Sequence, residues 1–244
     1  MALRSFLDGE LFAEVYGEGP PEVLALHGWG RRGNDFAAVF DDGYSGIAPD
    51  LPGFGASPAP EHAIGADAYA DIVARILDSF DRPPVVVGHS FGGRVAVCLA
   101  AKHPERVGAL VLTGVPLIRL ETGRRPSPAL RLARWLNRAG IVSDERMERE
   151  KRRRGSDDYR AVTGVMRDIL VKVVNETYEG QLMRIPVPVQ MLWGERDEEV
   201  PLSMAEAAQA LIPDSSLEVL HDVGHFVPLE APEALRAAIE KAMA

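Results

Sequence analysis

Gly88-His89-Ser90-Phe91-Gly92 stands between two runs of different character. Pro84-Val85-Val86-Val87 precedes it, and Gly93-Arg94-Val95-Ala96-Val97-Cys98-Leu99-Ala100-Ala101 follows. The first run is short, apolar and β-branched, the pattern of a buried strand, and the second reads as a helix. A serine between two glycines on a turn from strand to helix has the form of a nucleophile elbow. Such a turn strains the serine backbone and lifts its hydroxyl above the sheet. A side chain two positions before or after would collide with the turn, so glycine occupies both places. His89 lies inside the elbow, and its side chain must point away from that of Ser90.

Outward from the elbow, strand and helix alternate. Strands are expected over residues 4–7 and 11–16, around the Asp8-Gly9 turn, and over 22–26, 45–48, 85–87 and 107–113. Helices are expected over 34–40 and 66–80, and from the elbow to His103, where Pro104 ends the run. In the 66–80 segment Tyr69, Ile72, Val73, Ile76 and Leu77 share one face. The strand pattern resumes at 187–193 and 216–220, with helices over 202–211 and 232–243. Between these halves, residues 116–184 hold arginine-rich helical segments and no strand pattern. The fold class this implies is α/β, a mostly parallel sheet with helices on both faces. Residues 1–115 and 186–244 form the expected core, and 116–185 a helical cap inserted into it. The insert follows a strand end, where ligands bind in open α/β sheets.

The length, 244 residues, suits one large domain that buries its own core. Hydrophobic residues make up 46% and charged residues 26%, the balance of an ordinary soluble globular protein. A single cysteine, Cys98, permits no internal disulfide and reads as a small core residue. Acids occupy the N-terminal stretch where a signal peptide would be apolar, and no run approaches the ~20 apolar residues of a membrane span. A cytoplasmic location without a membrane span is therefore expected, and the sequon Asn175-Glu176-Thr177 is read as chance. A net charge of −9 argues against nucleic acid as a partner. Residues 116–185 nevertheless carry 16 basic and 10 acidic residues, a net of +6 against −15 for the remainder. This marks a compositional boundary at the insert.

A serine hydroxyl needs a base to become a nucleophile. Of six histidines, His225 is favoured, because Val223-Gly224-His225-Phe226 forms a loop between the last strand and the last helix. His221 is the runner-up. His27 belongs to a His-Gly turn after a strand, and His62 and His103 read as surface residues. The base needs an acid to hold its tautomer. Asp197, in Gly194-Glu195-Arg196-Asp197, follows a strand end; Glu195, Glu198, Glu199 and Asp222 are rivals. The strand after the elbow helix ends in Thr113-Gly114-Val115 and offers no acid. The oxyanion requires fixed donors, for which the backbone N–H groups of Phe91 and Trp29 are the candidates, the latter in His27-Gly28-Trp29-Gly30. Gly53-x-Gly55 opens no helix and is not a dinucleotide fingerprint. No histidine–carboxylate spacing suggests a metal, Ser57 reads as a turn residue, and Lys151-Arg152-Arg153-Arg154 as a solvated helix end.

Five segments together resemble the α/β-hydrolase superfamily along nearly the whole chain. They are His27-Gly28-Trp29-Gly30, Asp50-Leu51-Pro52-Gly53-Phe54-Gly55-Ala56-Ser57, Gly88-His89-Ser90-Phe91-Gly92-Gly93, Gly194-Glu195-Arg196-Asp197 and Gly224-His225. The order Ser90, Asp197, His225 is that superfamily's order. Within it, the chain is similar to the carboxylesterases that demethylate pimeloyl-acyl-carrier-protein methyl ester, although those carry a different residue in place of His89. That resemblance implies substrate contacts by Trp29, Ser90 and Phe91. The Gly92-Gly93-Arg94-Val95-Ala96 run also resembles menaquinone-pathway enzymes of this fold, which eliminate rather than hydrolyse. The expectation is a serine esterase acting through an acyl-enzyme, without cofactor or metal, on a small-molecule ester that is anionic or carrier-protein-bound. Carbon–carbon bond hydrolysis, elimination on the same triad, and a ligand receptor with a retained triad are the alternatives. An aspartate nucleophile of the haloalkane type is disfavoured by Ser90.

Overall fold

Alternating burial along the strands divides the apolar residues between two layers. In the computed structural model, which describes residues 1–40, 44–119 and 160–244, the strands are β1 (Ala2–Phe6), β2 (Leu11–Tyr16), β3 (Val23–Leu26), β4 (Gly46–Asp50), β5 (Val85–His89), β6 (Ala109–Thr113), β7 (Val189–Gly194) and β8 (Ser215–Leu220). Side chains alternate across a pleated strand. Leu24, Leu26, Val86, Leu110 and Leu112 accordingly join one core cluster. Val23, Ala25, Val85, Val87, Ala109 and Val111 join the other. The first cluster takes in the helices Ala66–Ala74, Phe91–Lys102 and Leu202–Gln209, and the second takes in Ala37–Phe40 and Pro232–Met243. Strands β3 to β6 are buried along their whole length, as parallel strands covered on both faces must be.

The strand order is β1-β2-β4-β3-β5-β6-β7-β8. Strands β1, β2 and β4 pair antiparallel, and every other pairing is parallel. From β3 the chain first moves to β4 on one side, then returns to β5 on the other. This reversal opens a crevice at the carboxyl ends of β3 and β5, where α/β sheets bind ligands. Leu26 pairs with Gly88 across it, so the His27 turn and the elbow leave the sheet side by side.

The expected elements form with shifted ends. Residues 66–80 divide into an α-helix, Ala66–Ala74, and a tighter 3-10 stretch, Arg75–Ser79, a common helix ending. Strand β4 runs on through Pro49 to Asp50. A helical turn, Val227–Glu230, follows His225 and has no counterpart in the sequence reading. Most of the expected insert, residues 120–159 with the basic run 151–154, lies outside the described residues. Its described return contains the helices Gly164–Val173 and Glu179–Leu182. Met166 of that return packs against Gly53, in the loop after β4. Among the described residues no helix is long and apolar enough to cross a membrane.

Candidate active site

Ser90 has φ 50° and ψ −113°, a backbone region that side-chain-bearing residues rarely occupy. The surroundings enforce it. A Cβ on Gly92 would lie 2.1 Å from the Leu26 carbonyl oxygen, and one on Gly88 would lie 2.5 Å from Gly93 Cα. The elbow helix therefore starts with its backbone pressed onto the end of β3. The N–H of Ser90 donates to Thr113 O at 3.0 Å, which ties the elbow to β6. Phe91 opens the helix, where backbone N–H groups lack helical partners and can face an anion.

The loop after β3 lies against Ser90, since a Cβ on Gly28 would stand 3.4 Å from Ser90 Cβ. His27 organises this loop. Burial pushes its imidazole down to about 4, so it is neutral in the working pH range. Its Nδ1 is 2.7 Å from Gly28 O, which can only accept, so the proton sits on Nδ1. The bare Nε2 accepts the N–H of Leu51 at 2.9 Å, and both bonds demand the same tautomer. The carbonyl of Gly28 also accepts Arg31 N–H at 3.2 Å. Gly28 C=O and Trp29 N–H belong to one planar peptide, so fixing the oxygen fixes the direction of the opposed N–H. Buried Asp50 joins the neighbouring loops, accepting Gly33 N–H at 2.9 Å and Ala56 N–H at 2.8 Å.

At the other side of the crevice, β7 and β8 deliver Asp197 and His225. His225 Nδ1 lies 2.8 Å from Asp197 Oδ2, with both side chains almost fully buried. Asp197 Oδ1 accepts the N–H groups of Glu199 and Val200 at 2.9 and 2.8 Å, so the carboxylate is fully engaged. Trp193 anchors this loop by donating Nε1–H to Val200 O at 2.8 Å. Glu230 clasps the His225 loop, accepting Gly224 N–H at 2.7 Å and Phe226 N–H at 3.0 Å. Burial drives the His225 pKa down, but the Asp197 hydrogen bond and the charges of Asp197, Glu199 and Glu230 outweigh it and leave it raised. His225 Nε2 stands 3.5 Å from Glu199 Oε2. Among the described residues no hydrogen bond joins it to Ser90, a contact often long without substrate.

Of the rival acids, Glu199 reaches only the far nitrogen of His225, Glu198 is exposed, and Glu195 and Asp222 lie elsewhere. Glu195 accepts from His221 Nδ1 at 2.5 Å, and Asp222 pairs with Arg196, all on exposed surface. Trp29, Phe54, Phe91 and Tyr69 form an aromatic cluster beside Ser90. Trp29 meets Phe54 and Phe91 edge-to-face at 4.9 and 5.3 Å, and Tyr69 meets Phe91 at 5.0 Å. Ser57, expected as a turn residue, is a buried clamp whose Oγ accepts Phe12 N–H at 2.9 Å. Cys98 is buried, and burial pushes its thiol up to about 12. Sequence reading missed Glu230, and it named Glu199 only as a rival to Asp197 rather than as a neighbour of His225 Nε2. The signal for Glu230 was an acid in a first helical turn, able to reach back to preceding N–H groups; the contact of Glu199 with Nε2 had no signal beyond its place in an acidic loop.

Comparison with known proteins agrees with this architecture. The model of the alpha/beta hydrolase family matches residues 23–238. A pimeloyl-[acyl-carrier protein] methyl ester esterase of Chromobacterium violaceum is 44% identical over 117 residues, 46% of this chain and 44% of that protein. One of the same name from Aromatoleum aromaticum is 27% identical over 90% of this chain and 97% of its own length. The crystal structure of a serine hydrolase involved in carbazole degradation superposes with a TM-score of 0.74 at 22% identity, covering 99% of this chain and 98% of that one. The chain belongs to the alpha/beta hydrolase family.

Proposed function

We propose that the chain is a serine hydrolase of carboxylic esters, with Ser90 as nucleophile, His225 as general base and Asp197 as its orienting acid. The observation that carries this reading is the buried 2.8 Å Asp197–His225 hydrogen bond beside a serine strained at φ 50°. Ser90 Oγ attacks the ester carbonyl carbon as His225 Nε2 takes its proton. Asp197 stabilises the resulting imidazolium. The N–H groups of Phe91 and Trp29 receive the oxyanion. When the carbonyl re-forms, the alkoxide leaves with the proton from His225. Water, deprotonated by His225, then attacks the acyl-enzyme, and the acid departs with Ser90 restored. Trp29 and Phe91 contact the substrate, and the 116–185 segment serves as the cap over it. The names of the relatives support an ester whose acyl part is carrier-borne, and the net +6 of the insert suits an anionic or acidic-carrier partner.

A panel of short p-nitrophenyl esters tests the reading in wild type and Ser90→Ala. Wild type should turn over many times, as a ligand receptor would not. The variant should lose at least ~10³-fold in kcat. Wild-type turnover in Ser90→Ala would overturn the proposal.

A further inference from the structure

His89 has no part in the chemistry just described, yet it sits where the nucleophile, base and oxyanion loops meet. It is the last residue of β5, directly before Ser90, and only 3% exposed. Its Nε2 is 3.0 Å from the main-chain oxygen of His225. Its ring lies 4.9 Å from the His225 ring and 5.8 Å from that of Phe226. Its Nδ1 faces Gly28, where a Cβ would stand 2.8 Å away. A carbonyl oxygen only accepts, so His89 donates Nε2–H to it.

We propose that His89 is a positioning residue, whose Nε2–H holds the main chain of His225 at a fixed reach from Ser90. The inference rests on the hydrolase reading. Glu230 holds the N–H groups on either side of His225 from the outside. His89 holds its carbonyl from the inside, and His89 is covalently joined to the nucleophile. One peptide bond and one hydrogen bond thus link the backbones of nucleophile and base, and any shift of the elbow carries both. The donor must also be uncharged, because His225 becomes an imidazolium during reaction and a second cation beside it would oppose that. Burial meets this condition by pushing His89 down to about 3.

The test compares His89→Gln, His89→Asn and His89→Leu in the full-length protein. A glutamine amide nitrogen reaches close to the position of Nε2, an asparagine falls one methylene short, and leucine has no donor. Steady-state hydrolysis of p-nitrophenyl acetate and the rate of Ser90 labelling by a fluorophosphonate are measured, with circular dichroism to verify folding. Expected are a kcat within ~3-fold of wild type for His89→Gln and a ~10–100-fold fall for the other two, with KM nearly unchanged, the scale of a small misplacement of reacting groups. The Gln–Asn contrast decides the matter even where the Leu variant does not fold. Equal loss in Gln and Asn, wild-type kcat in Asn, or an effect confined to KM would overturn the proposal. A wild-type protein that is not labelled at Ser90 would overturn the hydrolase reading instead.

Discussion

His27 and His225 occupy matching places at opposite ends of the crevice. Each is buried, each adjoins a glycine, and each leaves the carboxyl end of a parallel strand. Their protonation behaviour is opposite. His27 is pushed down to about 4 by burial, with only main-chain groups as hydrogen-bond partners. His225 is raised, because a carboxylate meets its Nδ1 and two further acids lie near. Burial alone makes a histidine a fixed, neutral fitting. Burial with a bound carboxylate leaves it able to take up a proton and keep its place, as the proposed base must. The partner on the far nitrogen, rather than the neighbouring sequence, separates the two roles.

Breaking the partner should have the largest effect. Asp197→Asn keeps an oxygen for the N–H groups of Glu199 and Val200 but removes the charge and favours the wrong imidazole tautomer. A loss of ~10³–10⁴-fold in kcat is expected. The residual activity should also titrate lower. The base works when neutral, so rate rises with pH through the His225 pKa, and losing the Asp197 charge moves that limb toward acid. Full activity in Asp197→Asn would show that the carboxylate is not what distinguishes the two histidines.

Breaking the neutral fitting should cost less and leave the titration alone. His27→Ala frees the Gly28–Trp29 peptide, and kcat should fall ~10–100-fold, below the ~10²–10³-fold for deleting an oxyanion donor outright. The acid limb of the kcat/KM profile should stay where it is in wild type, because His27 is already uncharged there. A shifted limb would assign that titration to His27. The smallest effect is expected from Glu199→Gln, since the Glu199 side chain is about half exposed and screened by water. Its removal should shift the acid limb to lower pH by less than ~1 unit, with kcat at high pH nearly unchanged. An upward shift would contradict the sign given to this neighbour.

Most of the sheet was legible because buried parallel strands leave continuous apolar runs, as at Val85-Val86-Val87, and glycines mark the strand ends. Candidate residues for the site were legible because they stand at those ends in a fixed order. Their linkages were not. Nothing local to His89 indicates that its partner is the carbonyl of a residue 136 positions away. Nothing near Glu230 separates a clasp on Gly224 and Phe226 from an ordinary acid in a first helical turn. Asp197 was chosen over Glu195 by position, whereas the physical difference is that one carboxylate is buried against His225 and the other exposed against His221. Boundaries also escaped, as in the 3-10 continuation at Arg75–Ser79, because the apolar stripe continues while the helix tightens.

Gly114, at the end of β6, has φ +60°, and a Cβ there would lie 2.9 Å from the His225 ring and 3.3 Å from Asp197 Oδ2. The space for the Asp197–His225 pair thus depends on one absent methyl group on a neighbouring strand. For anyone redesigning the protein, β6 is closed as a second address for the acid. A carboxylate grafted at position 114 would evict the imidazole it was meant to serve. New chemistry on this scaffold must therefore leave that vacancy open.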